Sequence, residues 1–167
     1  MLDGSASRSA RARPDDLIDF GDIPGEVNAL LQKGVAAYRA SKAEAEVWFG
    51  KALSLAPDAL PVYFCLYKIH TYAGDLDAAL DAAQAGLREA ASQAGWSTDY
   101  EEWPLAPTVM SADDPSRFAL YTLKALAFIS LKRGEADKGR DILKRLAILD
   151  PKGYVGWPVI ADLAAGL

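Results

Sequence analysis

Spacing constrains this chain more than composition does. Ala45, Phe49, Ala52 and Pro57 find counterparts at i+34 in Ala79, Ala83, Gly86 and Ala91. Tyr63, Leu66, Gly74 and Ala79 find theirs at i+60 in Leu123, Leu126, Gly134 and Gly139, and Pro151 lies at i+60 from the Pro57-equivalent position. Leu123, Leu126 and Ala127 then return at i+34 as Trp157, Ile160 and Ala161. Since 60 is 34 plus 26, one period interrupted by a single insertion accounts for all three offsets. From Gly25 onward apolar residues recur at helical steps of three and four, and almost nothing reads as a strand. These features predict an all-α chain in which one supersecondary unit is repeated.

The residues resemble the tetratricopeptide repeat family, whose unit is a helix–turn–helix of about 34 residues. The first unit, about 26–59, carries Ala45-x3-Phe49-x2-Ala52 and closes on Leu55-Ala-Pro57. The second, about 60–95, carries Tyr63-x2-Leu66, Gly74-Asp75 at the turn, and Ala79. The third, about 115–153, carries Leu123-x2-Leu126-Ala127, Gly134, Gly139 and Leu149-Asp-Pro151. Trp157-x2-Ile160-Ala161 looks like a capping helix within 154–167. The resemblance implies a right-handed array of three helix pairs plus that cap, spanning residues 25–167. Small residues would sit where paired helices approach closely. Gly74 and Gly134 would take the left-handed angles of a helix end. Gly34 stands at i−11 from Ala45, one position nearer than the family spacing, which predicts a tightened first turn. The second unit lacks its closing proline, so its second helix is expected to run on to Gly95.

The family implies partner binding in a groove lined by the first helix of each unit. Carried over by register, the groove would hold Asn28, Leu31, Val35 and Tyr38 from the first unit. The second would supply Pro61, Phe64, Lys68 and Thr71, and the third Tyr121, Lys124, Phe128 and Leu131. Each set is spaced three, four, three and so shares a helix face. Family members that clamp a carboxyl terminus use a Lys/Asn pair in slots filled here by Leu31 and Val35, which disfavours that partner. A peptide with hydrophobic anchors and some acidic character fits better.

Residues 92–119 form the insertion. Ser97-Thr98-Asp99-Tyr100-Glu101 reads as a helix start, and Asp114-Pro115 as the cap and first position of another helix. Trp96, Tyr100 and Trp103 lie here and allow two readings: an exposed contact surface, or a cover over the gap between the second and third units.

Ahead of the array, residues 1–24 read as a flexible arm. Within it, 1–13 carry three arginines but no apolar core, so they are not a secretory signal. The arm's Leu17-Ile18-Asp19-Phe20 stretch alternates acid with apolar side chains and could itself fill the groove. A net charge of −5 argues against nucleic acid or an anionic membrane as partner. One cysteine excludes an internal disulfide, and with one histidine excludes a Cys/His zinc site. The lone thiol fits a reducing, cytoplasmic setting. Cys65 and His70, five residues apart on one helix, point about 140° apart and cannot pair as nucleophile and base. No cofactor or metal is expected. The sequence therefore points to a non-catalytic module that docks or assembles proteins. The alternatives are a homo-oligomer built through the insertion or end helix, and a small-molecule receptor or unusual enzyme using the groove.

Overall fold

The computed structural model describes residues 17–107 and 110–166. All regular structure among them is helical: α1 (Gly25–Tyr38), α2 (Lys42–Leu55), α3 (Leu60–Ala73), α4 (Leu76–Ala94), α5 (Pro115–Lys132), α6 (Ala136–Leu149) and α7 (Trp157–Ala165). Several helix starts follow from short polar side chains. Ser41 Oγ accepts from the Glu44 N–H at 3.2 Å, Asp75 from Ala78 at 3.3 Å, and Asp114 from Ser116 at 2.9 Å. Two ends follow from glycine: Gly74 and Gly134 have φ near +80°, and the next N–H in each case reaches back to a carbonyl five residues earlier. Gly95 ends α4, which does run on without a closing proline.

The first turn differs from expectation. The linker Arg39–Ser41 is as long as the one between α5 and α6, so it is not shortened. It contains no left-handed residue; Arg39 stays in the right-handed helical region, and the Ala40 and Ser41 N–H groups both donate to Ala37 O.

Consecutive helices pack as α1 on α2, α3 on α4 and α5 on α6, and α4 also packs broadly on α5. A second line of contacts joins α1 to α3, α3 to α5 and α5 to α7. Ala45, Ala79 and Gly139 each occupy the fourth position of their helix, in α2, α4 and α6, and all three are buried. The close approach is measurable at the glycines. A Cβ on Gly86 would lie 2.8 Å from Tyr63 Cβ, and one on Gly139 would lie 2.6 Å from Leu131. At Gly34 it would lie 2.2 Å from the edge of the Phe49 ring, which is itself fully buried and cannot swing away.

Helix propensity alone favours alanine over glycine by about 1 kcal/mol. Gly50→Ala, with open space around its position, should therefore stabilise the chain by about 0.5–1 kcal/mol. Gly34→Ala should do the opposite and cost about 1–3 kcal/mol through overpacking. Paired urea melts of the two variants check this, and equal shifts of the same sign would refute the α1–α2 packing.

Two apolar cores result. One joins α1, α2 and the adjoining face of α3 around Val27, Leu31, Phe49 and Val62; the larger runs from α3 to α7 around Leu120, Leu123, Ile142 and Leu146. The arm from Leu17 to Pro24 lies along α1. The Ile18 backbone exchanges two hydrogen bonds with the Gln32 side chain, at 3.3 and 2.7 Å. Phe20 and Ile23 pack on the first core, and Gly21 abuts Asp113 at the far end of the insertion. The rest of the expected arm, residues 1–16, lies outside the described residues.

The insertion closes over α4, α5 and α6. Its expected helix is a single 3₁₀ turn, Tyr100–Glu102, capped by Asp99. Arg145 of α6 donates to three of its carbonyls, Tyr100 O at 3.1 Å, Glu101 O at 2.6 Å and Trp103 O at 3.1 Å. Beyond it, the Ala106 N–H donates to Leu149 O at 2.8 Å. No helix among the described residues is long and apolar enough to cross a membrane.

Candidate functional site

An open apolar groove runs between α3, α5 and α7, with a volume of about 240 Å³. Six residues expected there from the sequence line it: Phe64, Lys68 and Thr71 from α3, and Tyr121, Lys124 and Phe128 from α5. The remainder comes from Tyr67, Tyr72, Ala125, Ile129 and Ile160, which lie outside the three-four-three sets. Tyr72 is two-thirds exposed (67%) and one helical turn beyond Lys68, so the aromatic stripe of α3 was its signal in the sequence. Ile160 belongs to the end helix and enters only because α7 packs on α5.

Other expected groove residues lie elsewhere. Leu31 is wholly buried (0% exposed) in the first core and has no surface to offer. Both the inside of a helix pair and its groove face are apolar, so a three-four-three spacing cannot tell them apart. Val35 and Tyr38 are partly buried against the same core, and Asn28 accepts a hydrogen bond from Gln32 at 3.1 Å. None of the four lines the groove. Leu131 is turned toward Gly139 between α5 and α6. Pro61 borders a different cavity, shared with Phe20 and Ile23 of the arm. None of the arm residues 17–24 lines the groove.

The insertion aromatics are drawn inward. Trp103 is 3% exposed, its indole N–H donates to Ser97 O at 2.7 Å, and its ring lies 5.0 Å from that of Trp96 and 6.4 Å from that of Tyr100. A buried indole with its one donor satisfied is a packing element. Trp103 therefore belongs to the cover over α4–α6 and not to an exposed interface; Trp96 and Tyr100 are partly buried beside it.

Two cations set the groove's electrostatics. Lys68 Nζ stands 4.7 Å from the centre of the Phe64 ring and 5.9 Å from that of Tyr72. Lys124 Nζ stands 3.9 Å from the centre of the Tyr121 ring and donates to Val155 O at 2.8 Å. Neither lysine has an ion-pair partner among the described residues. Burial, and then the facing Lys68 ammonium, lower the Lys124 pKa below the ordinary lysine value. An anion between them would relieve that repulsion. Phe64 is anchored by edge contact with Tyr67 at 5.7 Å and by tilted contact with Tyr121 at 5.8 Å, so the floor is aromatic and held in place.

Lys124 is positioned by the loop after α6. Asp150, fully buried, accepts from the Tyr154 N–H at 3.0 Å on one oxygen and from the Val155 N–H at 3.1 Å on the other. Its backbone carbonyl takes the Trp157 indole N–H at 2.7 Å. The turn so fixed presents Val155 O to Lys124.

Cys65 and His70 are both buried but serve different neighbours. Burial pushes the Cys65 thiol up to about 12, away from the thiolate form. His70 Nε2 faces Glu46 Oε1 at 3.4 Å; burial and then the Lys42 ammonium lower its pKa, outweighing the upward pull of Glu46 and Asp75.

Comparisons with family models, with characterised proteins and with solved structures give no match for this chain.

Proposed function

We propose that the chain is a tetratricopeptide-like interaction module that takes a peptide or helix in the α3–α5–α7 groove, the ligand carrying large apolar anchors and at least one carboxylate. One observation carries this reading: an apolar, aromatic groove on a −5 chain holds two lysines with no carboxylate partner among the described residues. Burying aromatic and aliphatic anchors would supply affinity, and the cations would fix register and select acidic partners. The recurrence of small residues at one position of α2, α4 and α6, with the α1–α3–α5–α7 line of contacts, supports the repeat reading. The thiol pushed up to about 12 supports a non-catalytic role for Cys65.

Selection from a random peptide library should enrich sequences in which Asp or Glu neighbours a large apolar residue. Tyr72→Ala and Lys68→Glu alter exposed or half-exposed groove atoms without opening a core. Each should weaken the selected peptides by about tenfold, or ~1.4 kcal/mol, in fluorescence anisotropy. Peptides of no common chemistry, or binding unchanged in both variants, would overturn the proposal.

A second reading, self-assembly through the end helix, draws on Tyr154, Val159 and Leu163, large apolar side chains exposed on or beside α7. Light scattering over a range of concentrations separates it from the first, since only assembly makes the mass depend on concentration.

A further inference from the structure

A second cavity lies away from the groove, and the insertion builds one of its walls. Gln84, Leu87 and Arg88 of α4, Leu126 and Ser130 of α5, and Lys138 and Ile142 of α6 line an open pocket of about 290 Å³, with Thr98 and Tyr100 forming one side. That volume is at the lower end of small-molecule sites. The floor is apolar, because Leu87, Leu126 and Ile142 are buried core residues whose edges reach the cavity. The rim is cationic and without an acid among its lining residues. Lys138 shares a 3.6 Å contact with Glu135 one turn back, and Arg88 has no ion-pair partner among the described residues.

The second observation is Ser130. It is 1% exposed, it lines the cavity, and its Oγ has no hydrogen-bond partner among the described residues. A serine inside a helix can donate to the carbonyl four residues back; this one is left with a free donor and acceptor beside an apolar floor. Buried polar groups without a protein partner call for a ligand or an ordered water. Thr98 and Tyr100 add two hydroxyls to the rim, and the Arg145 clamp on the 3₁₀ turn holds the backbone of Tyr100 in place.

From this arrangement we infer a binding site for a small organic anion with an apolar body. Its carboxylate would sit among Arg88, Lys138 and the Ser130 hydroxyl, which would donate to it, and its hydrocarbon would lie on Leu87, Leu126 and Ile142. The site gives the insertion a role that covering α4–α6 alone does not require, and it does not depend on the peptide-groove reading.

Titration calorimetry with hexanoate, hexan-1-ol and inorganic phosphate tests it on the full chain. Hexanoate should bind with one-to-one stoichiometry, and hexan-1-ol and phosphate each at least about tenfold more weakly. Arg88→Gln/Lys138→Gln, confined to exposed side chains, should weaken hexanoate by about tenfold or more, whereas Lys68→Glu in the groove should leave it unchanged. Absence of saturable hexanoate binding overturns the site. So does binding that Arg88→Gln/Lys138→Gln leaves intact, binding lost on Lys68→Glu, or phosphate binding as tightly as hexanoate.

Discussion

Replacing Asp150 by alanine is expected to cost about 3–5 kcal/mol of stability. The side chain is fully buried, and each of its oxygens accepts one backbone N–H, from Tyr154 and Val155. Hydrogen bonds to a charged partner contribute about 1.5–3 kcal/mol each, and removing the acceptor leaves the buried Val155 N–H and the part-buried Tyr154 N–H without their partner. Alanine fills the space of neither oxygen. Asp150→Asn keeps one acceptor and turns an NH₂ toward the other N–H, so its cost should fall about midway between. Denaturant melts give the energies. Amide exchange at Tyr154 and Val155 gives the location, because the loss should appear there before it appears in α1 or α2. The variant should also weaken peptide binding in the groove, since the same turn presents Val155 O to Lys124. A loss under about 1 kcal/mol would mean that solvent or a rearranged loop satisfies both donors.

What the sequence made legible is what depends on local sterics. Ala45, Ala79 and Gly139 could be recognised because a close helix approach admits only small side chains, and all three lie at the same helical position in the structure. Gly74, Gly134 and Gly95 could be recognised because left-handed angles select glycine, and all three have φ above +70°. Phe64 and Phe128 follow from the same family register that puts Leu31 in the groove, where Leu31 is instead wholly buried. The pattern identifies an apolar face but not which of two apolar neighbours it meets. Trp103 left two readings open because its sequence neighbours, Glu101, Glu102 and Pro104, are all polar or helix-breaking and exposed. Its burial depends on α6, more than thirty residues away.

Asp150 and Arg145 were invisible for one reason. An aspartate before proline reads as a solvated turn, and an arginine amid Lys144, Asp141 and Arg140 reads as a solvated helix face. Each is instead a hub of backbone hydrogen bonds, and the partners of Arg145 lie 42 to 45 residues away in the chain. Tertiary backbone acceptors carry no residue signature, so nothing in the insertion's own sequence marks the carbonyls that Arg145 takes.

Arg145→Ala is accordingly expected to cost about 2–4 kcal/mol and to release the insertion before the helices yield. Three carbonyls, of Tyr100, Glu101 and Trp103, converge on one guanidinium whose side chain is largely covered. Its nearby carboxylate, Glu101 at 3.7 Å, is well exposed and adds little. The cost is set by the carbonyls, and it is moderated because the Glu101 carbonyl can rehydrate once freed. Arg145→Lys should recover less than half of the loss, since an ammonium is a compact donor and cannot span the carbonyls as the planar fork does. Trp103 provides the readout. With the 3₁₀ turn released, its indole loses the cover that holds it at 3% exposure, and its emission should shift to the red below the global unfolding midpoint. The same variant should abolish hexanoate binding, because Thr98 and Tyr100 then no longer wall the cavity. A global melt without an earlier Trp103 step would place the insertion inside the cooperative core. Its clamp would then be one contribution among many, and the cavity wall would not depend on it.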